Sequence, residues 1–270
     1  MQFPSPADHG LGDRFGQYLQ LSTIAELKKI ELYTRWQTTA NVWSATYPDD
    51  ILKYVKFPKR LHIVNDIDKR LSVLQNVGPG YQEGFDHIPE TSYAMLMSTK
   101  IIPKVSQIEY MRAFHHVASQ FVFLRQDMLP TQPYAAIHLR RGDRGGSMIF
   151  SKHMRNIIPK DSRFVVLSDS LEAKRQACKW VNCLVLPKVD KREHALQEFF
   201  TLRHAKYIVQ SVQQTGRLGG WSSFSFVPSV MGNVTLFPFV PRNTRLETAQ
   251  IFCKCKLFNV QHNLSLLSTM

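Results

Sequence analysis

Three residue types that bind phosphate groups lie together at the end of one apolar run of this sequence. The run 134–139 is rich in strand-forming residues, and His138, Arg140 and Gly142 lie at or just beyond its carboxyl end. Arginine offers a planar fork to phosphate oxygens, histidine can donate a hydrogen bond to them, and glycine lets the backbone approach closely. Together they can stabilise the negative charge that grows on a nucleoside diphosphate as it leaves a sugar. A solvated arginine pair after a strand is the alternative.

The segments around this run predict the sheet that positions it. Short β-rich runs alternate with segments long enough for a few helical turns: strands 134–139, 164–167, 183–186, 207–209 and 234–237, and helices 171–180, 192–204 and 223–231. The runs are continuously apolar, which predicts a parallel sheet covered on both faces. Ligands of such sheets bind beyond the carboxyl ends of the strands, so we expect a ligand next to His138.

The first half of the chain is less regular. A glycine-rich turn at 10–12 precedes a helix whose apolar face uses Phe15, Tyr18, Leu21 and Ala25. The segment 106–129 also has apolar residues at helical spacing and predicts a second long helix. Residues 130–133 contain two prolines and are the best candidate for a linker.

The sequence His-x-Arg-Arg-Gly-Asp after a strand resembles the donor-site signature of the α1,2-, α1,6- and protein O-fucosyltransferase superfamily. The resemblance implies that His138 and Arg140 act on the pyrophosphate of the donor, with Arg141 and Gly142 in the same donor-binding loop. It also implies two facing Rossmann-like lobes of the GT-B type, with the parallel-sheet donor lobe on the C-terminal side.

Two further segments are similar to motifs of the same family, in the same order along the chain. The strand 164–167 runs into Ser168 and Asp169, which resemble the second donor-contacting turn. A third motif, in which hydroxyls and helix-start amides receive the β-phosphate, matches Ser222, Ser223, Phe224 and Ser225. Ser222 and Ser223 are also ordinary helix N-cap residues.

Glu198 and the glycine-rich turn before the first helix also resemble parts of this family. Glu198 matches an acidic residue that reads the nucleobase, where a carboxylate accepts both the N1–H and the exocyclic amine of guanine. A glutamate on a helix surface is the alternative. Gly10, Gly12 and Arg14 resemble the opening turn of the family, a glycine-rich loop before the first helix. A tight turn followed by an N-cap explains the same residues without a ligand.

Inversion at the anomeric carbon requires an acceptor hydroxyl that loses its proton, often to a carboxylate or a histidine. Asp13 is the base that we favour, and Asp143, Asp8 and His9 are further candidates. Asp143 can instead hold the motif loop through backbone amides, and Asp13 can cap a helix. The leaving phosphate can also assist directly, in which case the protein supplies no base.

Charge is concentrated in the second half of the chain. Residues 1–130 hold 14 Lys and Arg against 13 Asp and Glu, whereas residues 131–270 hold 20 against 8, out of a formal net charge of +13. Such a field attracts a polyanion or a compact anion such as a nucleotide diphosphate. The four cysteines are expected to be reduced thiols. Since no leader or membrane-spanning run is visible, the sequence predicts a soluble, cytoplasmic protein without a membrane span.

Three other functions compete with this interpretation. Asp66 and Asp68 form an Asp-x-Asp pair after a strand-like run, which suits a metal-dependent sugar-nucleotide transferase. The basic second half suits a nucleic-acid-binding protein, although basic and aromatic residues do not alternate there. The tripeptide at 141–143 matches a cell-adhesion ligand, but it directly follows a buried strand.

The sequence therefore predicts an acceptor-side α/β lobe at 1–130, a donor-binding Rossmann-like lobe at 131–250, and a segment 251–270 that packs back on the first lobe. The expected activity is inverting, metal-independent transfer of L-fucose from GDP-fucose to a glycan or glycoprotein acceptor. Another nucleotide sugar, such as UDP-xylose, is the alternative donor. No cofactor and no nucleic-acid partner are expected.

Overall fold

The structure is a computed structural model that describes residues 10–40, 45–65, 107–139, 162–211 and 222–239. These residues fall into two compact units. The first holds the described residues up to 126 together with 189–196, and the second holds 127–188 and the described residues from 197 onward. Within the described ranges no helix is both long and apolar enough to cross a membrane.

The first unit combines two long helices with short strand pairs. β1 and β5 pair in parallel, whereas β2 with β3 and β4 with β6 pair antiparallel. The elements are α1 (Leu11–Lys28), β1 (Leu32–Thr34), β2 (Thr39–Ala40), β3 (Ala45–Thr46), β4 (Val55–Lys56), β5 (Leu61–Ile63), α2 (Gln107–Gln120) and β6 (Val122–Phe123), with 3₁₀ turns at Ile51–Lys53 and Gln126–Met128.

The predicted apolar face of α1 forms the core of this unit. Phe15, Tyr18, Leu21 and Ala25 are each at most 2% exposed, as their helical spacing predicted. The ring of Phe15 lies 6.0 Å from the ring of Phe121, which follows α2. Because side chains at these spacings share one side of a helix, the sequence pattern alone was sufficient to identify the buried face.

The second unit is built on a five-stranded sheet in the order β11–β10–β7–β8–β9, with every pair parallel. This arrangement confirms the predicted parallel sheet. Its elements are β7 (Ala135–Leu139), β8 (Arg163–Ser168), α3 (Leu171–Cys178), β9 (Asn182–Cys183), α4 (His194–Arg203), β10 (Tyr207–Ser211), α5 (Ser223–Gly232) and β11 (Thr235–Phe239).

Both faces of the sheet are covered, which explains why most positions of its strands are apolar without alternation. Every residue of β7 is buried. Ala135, Ile137 and Leu139 pack on the face that holds Ala173 and Ala177 of α3. Residues of the opposite parity, such as Ala136, pack on the face that holds Leu202 of α4 and Phe224 of α5. In a strand that is buried on both faces, polar and apolar residues do not alternate.

Two segments differ from the sequence prediction because tertiary pairing overrides local pattern. The run 183–186 contributes only its first residue to a strand, and Val185 is 92% exposed, since β9 pairs with β8 over two residues at the sheet edge. The predicted helix 106–129 ends at Gln120, because Phe123 in β6 pairs with Val55 in β4.

A disulfide joins Cys178, the last residue of α3, to Cys183 in the edge strand β9. The expectation that these cysteines are free thiols was wrong. The Cβ directions at a helix end and at the next strand cannot be judged from a count of cysteines, so this pairing could not be predicted. Disulfides persist mainly in oxidising compartments, and a cytoplasmic location stays a prediction.

We expect the variant with both Cys178→Ser and Cys183→Ser to lose about 2 kcal/mol of unfolding free energy, because a crosslink over so short a loop removes little entropy from the unfolded chain. Urea denaturation with and without reductant measures this loss of unfolding free energy. Reductant should lower the stability of the wild type to that of the variant. A further effect of reductant on the variant would contradict this assignment.

Candidate functional site

The candidate site lies at the carboxyl edge of the five-stranded sheet. His138 is the penultimate residue of β7 and is 6% exposed. It pairs in register with Leu167 of β8 and with Gln210 of β10. Its ring centroid lies 5.6 Å from that of Phe224, in the first turn of α5. The imidazole is therefore held where the sheet edge meets the start of a helix.

The start of α5 is an ordered N-terminus. The carbonyl of Ser222 accepts hydrogen bonds from the amides of Ser225 and Phe226, at 3.1 and 3.0 Å, and from the Ser225 hydroxyl at 3.3 Å. The first amides of a helix have no partner within the helix, and the helix dipole adds partial positive charge there. Such a terminus attracts anions, and here it lies against His138 through Phe224.

The turn after β8 is fixed by its own serines. The Ser168 hydroxyl accepts a hydrogen bond from the Ser170 amide at 3.1 Å, and the Ser170 hydroxyl accepts one from the Ala173 amide at 3.3 Å, which caps α3. Asp169 lies between these serines, where its Oδ1 accepts from the Ser168 hydroxyl at 3.5 Å. The turn therefore leads directly into the N-terminus of α3.

Glu198 of α4 forms an ion pair with Lys174 of α3. The Lys174 Nζ donates to Glu198 Oε1 at 2.8 Å, and the two side chains are 25% and 14% exposed. The next residue, Phe199, has its ring 5.9 Å from that of Phe224. Glu198 is therefore a half-buried carboxylate one residue away from the aromatic row formed by Phe199, Phe224 and His138.

Arg14, in the first unit, is fully buried in the first turn of α1. Its guanidinium donates to the carbonyls of Gln37 and Thr39, each at 2.6 Å. It also lies over the rings of Trp36 and Tyr47, 5.5 and 4.8 Å from their centroids. Burial lowers the pKa of Arg14, while Tyr47 acts in the opposite direction. The observed contacts make Arg14 an internal support of residues 36–39 and of Tyr47.

We expect Arg14→Lys to lower the free energy of unfolding by about 2 kcal/mol, because an ammonium cannot reproduce two forked hydrogen bonds between two rings. Chemical denaturation measures the loss. Arg192→Lys is the matched control, since Arg192 is 55% exposed and pairs with an exposed Asp49; its effect should stay within about 0.5 kcal/mol. Equal losses in the two variants would show that the buried hydrogen bonds of Arg14 do not contribute to the free energy of unfolding.

The other predicted site residues are distributed as follows. Gly10 precedes α1 and its carbonyl accepts from the Arg14 amide at 3.1 Å, Gly12 is buried in the first turn, and Asp13 is half-buried beside it. A carboxylate in the first turn complements the helix dipole. Outside the described residues lie the remaining candidates Asp8, His9, Asp66, Asp68, Arg140, Arg141, Gly142 and Asp143, and the segment 251–270. The side chain of Ser223 is also outside them.

Sequence reasoning missed two residues at this edge. Lys174 is the cation that pairs with Glu198, and no local spacing relates a residue of α3 to one of α4. Gln210 is fully buried in β10, in register with His138. Its signal was visible as a glutamine that directly follows the apolar run 207–209, where a buried strand normally continues with apolar residues.

Comparison with known proteins shows which fold this is. No protein-family model and no curated protein matches the sequence. Among solved structures, the α1,6-fucosyltransferase NodZ, soaked with GDP-fucose, matches with a TM-score of 0.50 at 12% identity, over 90% of this chain and 96% of that chain. The FUT1 protein of Arabidopsis thaliana, as a mutant in complex with GDP, matches with a TM-score of 0.41 at 11% identity, over 90% and 71%. The first match shows that this chain has a fucosyltransferase-like fold.

Proposed function

We propose that this chain is an inverting glycosyltransferase that transfers a sugar, L-fucose from GDP-fucose in our preferred version, to a glycan or glycoprotein acceptor. One observation carries the proposal. His138 at the carboxyl end of β7 meets the N-terminus of α5 through Phe224, on a fold shared with an α1,6-fucosyltransferase. A histidine beside a helix start suits the diphosphate of a nucleotide sugar.

The reaction is a single displacement at the anomeric carbon. The acceptor oxygen forms a bond to this carbon while the bond to the diphosphate oxygen breaks, and the diphosphate leaves with the electron pair. His138 and the first amides of α5 stabilise the charge that grows on the leaving group, and Arg140 supplies the cation that the family resemblance assigns to the same step. No metal ion is needed for this scheme.

The acceptor hydroxyl releases one proton, which goes to Asp13 or to the leaving phosphate. In this proposal Asp13 belongs to the acceptor-side lobe at 1–130, which faces the donor lobe as in GT-B enzymes. Asp143 has the role of holding the donor loop.

Glu198 gives the proposed site its nucleobase preference. Guanine presents two neighbouring hydrogen-bond donors, which a carboxylate can accept together, whereas uracil presents one donor between two acceptors. Lys174 orients this carboxylate from one side, through the 2.8 Å contact with Oε1. Ser168 and Asp169, in the adjacent turn, complete the donor-binding residues of the proposal.

A thermal-shift panel of sugar nucleotides tests the function. GDP and GDP-fucose at about 100 times their dissociation constants should stabilise the protein by about 2.7 kcal/mol, and UDP and UDP-xylose should not. The reverse preference would assign a UDP-sugar donor. Loss of transfer activity on addition of a chelator would instead favour the metal-dependent alternative at Asp66 and Asp68.

A further inference from the structure

Gln210 is a fully buried glutamine whose side-chain amide has no hydrogen-bond partner among the residues that the structure describes. The residue is 0% exposed, and neither Nε2 nor Oε1 contacts a donor or an acceptor within the part of the chain that the structure describes. Gln197 is equally buried, but its Nε2 donates to the carbonyls of Met128 and Pro187, each at 2.8 Å. Gln197 thus donates hydrogen bonds through its Nε2, whereas neither polar atom of Gln210 has a hydrogen bond to the described residues.

An unpaired amide in a buried strand is costly, because both of its polar atoms lose their hydrogen bonds to water without replacement. Folded proteins pair nearly all such groups. The neighbouring position on the same strand face, Ile208, is apolar and fully buried, so packing alone would be better served by an apolar residue. Gln210 consequently requires a function outside the packing of the sheet.

The position of Gln210 indicates what that function is. It pairs in register with His138, so the two side chains leave the same face of neighbouring parallel strands, about 4.8 Å apart. This is the face on which Phe224 packs, in the first turn of α5, with its ring against that of His138. The unpaired amide thus lies beside the histidine and the helix start that the proposed function assigns to a diphosphate.

We infer that Gln210 is a donor-binding residue of this site, an inference that rests on the proposed function. When a nucleotide sugar binds, Nε2 donates to an oxygen of the diphosphate and Oε1 accepts from a hydroxyl of the sugar next to it. An amide is suited to this junction because it offers one donor group and one acceptor side by side. Binding supplies the two interactions that the described part of the ligand-free chain does not make.

This role predicts that one substitution raises the stability of the ligand-free protein and at the same time weakens donor binding. Gln210→Leu removes the buried polar atoms and keeps a side chain of similar volume, so the ligand-free protein should melt about 2 to 4 °C higher than the wild type. The same variant should bind GDP-fucose about tenfold more weakly. Differential scanning fluorimetry without ligand and with a GDP-fucose titration gives both readings on the full chain.

Gln197→Leu is the matched control, because it makes the same substitution at a glutamine whose Nε2 donates two hydrogen bonds, although its Oε1 has no partner among the described residues. It should melt lower than the wild type, since two buried carbonyls lose their donor.

Two outcomes would overturn the inference about Gln210, and a third would overturn the proposed function. If Gln210→Leu melts below the wild type without ligand, the amide has a structural partner such as an ordered water, and the inference fails. If the variant is stabilised by GDP-fucose as strongly as the wild type is, Gln210 does not contact the donor, while the proposed function stands. If neither GDP-fucose nor GDP stabilises even the wild type, the proposed function itself fails.

Discussion

Arg140→Ala should reduce the turnover number of sugar transfer about a thousandfold, which corresponds to about 4 kcal/mol of transition-state stabilisation. Arg140 directly follows Leu139, the last residue of the fully buried strand β7. In the proposed reaction its guanidinium acts on the leaving diphosphate, where negative charge is greater in the transition state than in the bound donor. The loss should therefore fall mainly on kcat, with a smaller change in KM.

Arg163→Ala is the matched control for this experiment. Arg163 is the exposed first residue of β8 and lies at the amino edge of the same sheet, so the variant removes the same charge from the opposite edge. It should keep nearly full activity. Both variants should melt close to the wild type, because the expected loss is one of transition-state stabilisation and not of folding. Retention of most activity by Arg140→Ala would refute the assignment of the donor site.

Glu198→Gln should weaken GDP binding about a hundredfold, or about 3 kcal/mol, while changing UDP binding little. An amide retains one acceptor but presents an NH₂ group to the exocyclic amine of guanine, so one charge-assisted hydrogen bond is weakened and another is replaced by repulsion. Calorimetric titration with GDP and with UDP measures the ratio of the two affinities. That ratio is independent of any general loss of folded protein.

The ion pair with Lys174 provides the control for this prediction. Lys174→Met removes the cation that contacts Glu198 Oε1 and keeps the carboxylate. If Glu198 reads guanine, this variant should keep most of the preference for GDP over UDP, whereas Glu198→Gln loses it. Equal loss of affinity for both nucleotides in the two variants would show that the pair only holds α3 to α4.

The parallel sheet and the buried face of α1 could be predicted because each depends on a pattern within one segment. Four of the five residues 135–139 are apolar and all five are buried, as a strand covered on both faces requires. Phe15 and Tyr18 lie on one side of α1 because their spacing is helical. The run 134–139 also predicted that His138 lies at the carboxyl end of its strand.

Contacts between distant segments could not be predicted in the same way. The partners of Arg14 are carbonyls 23 and 25 residues further along the chain, and a glycine-rich turn before a helix contains no information about them. The disulfide depends on how α3 ends beside β9. Gln210 follows the predicted strand 207–209 directly, and only its register with His138 places it at the site.

The two outer strands of the sheet affect whether protein molecules associate edge to edge at high concentration. β11 contains Pro238, which has no amide hydrogen to offer to a strand from another molecule. β9 is two residues long, and its Cys183 is covalently tied to α3. Each border of the sheet, as far as the described residues form it, is thus a poor template for β-addition. We therefore expect a concentrated sample to resist edge-to-edge aggregation, and to lose part of that resistance when the disulfide is reduced.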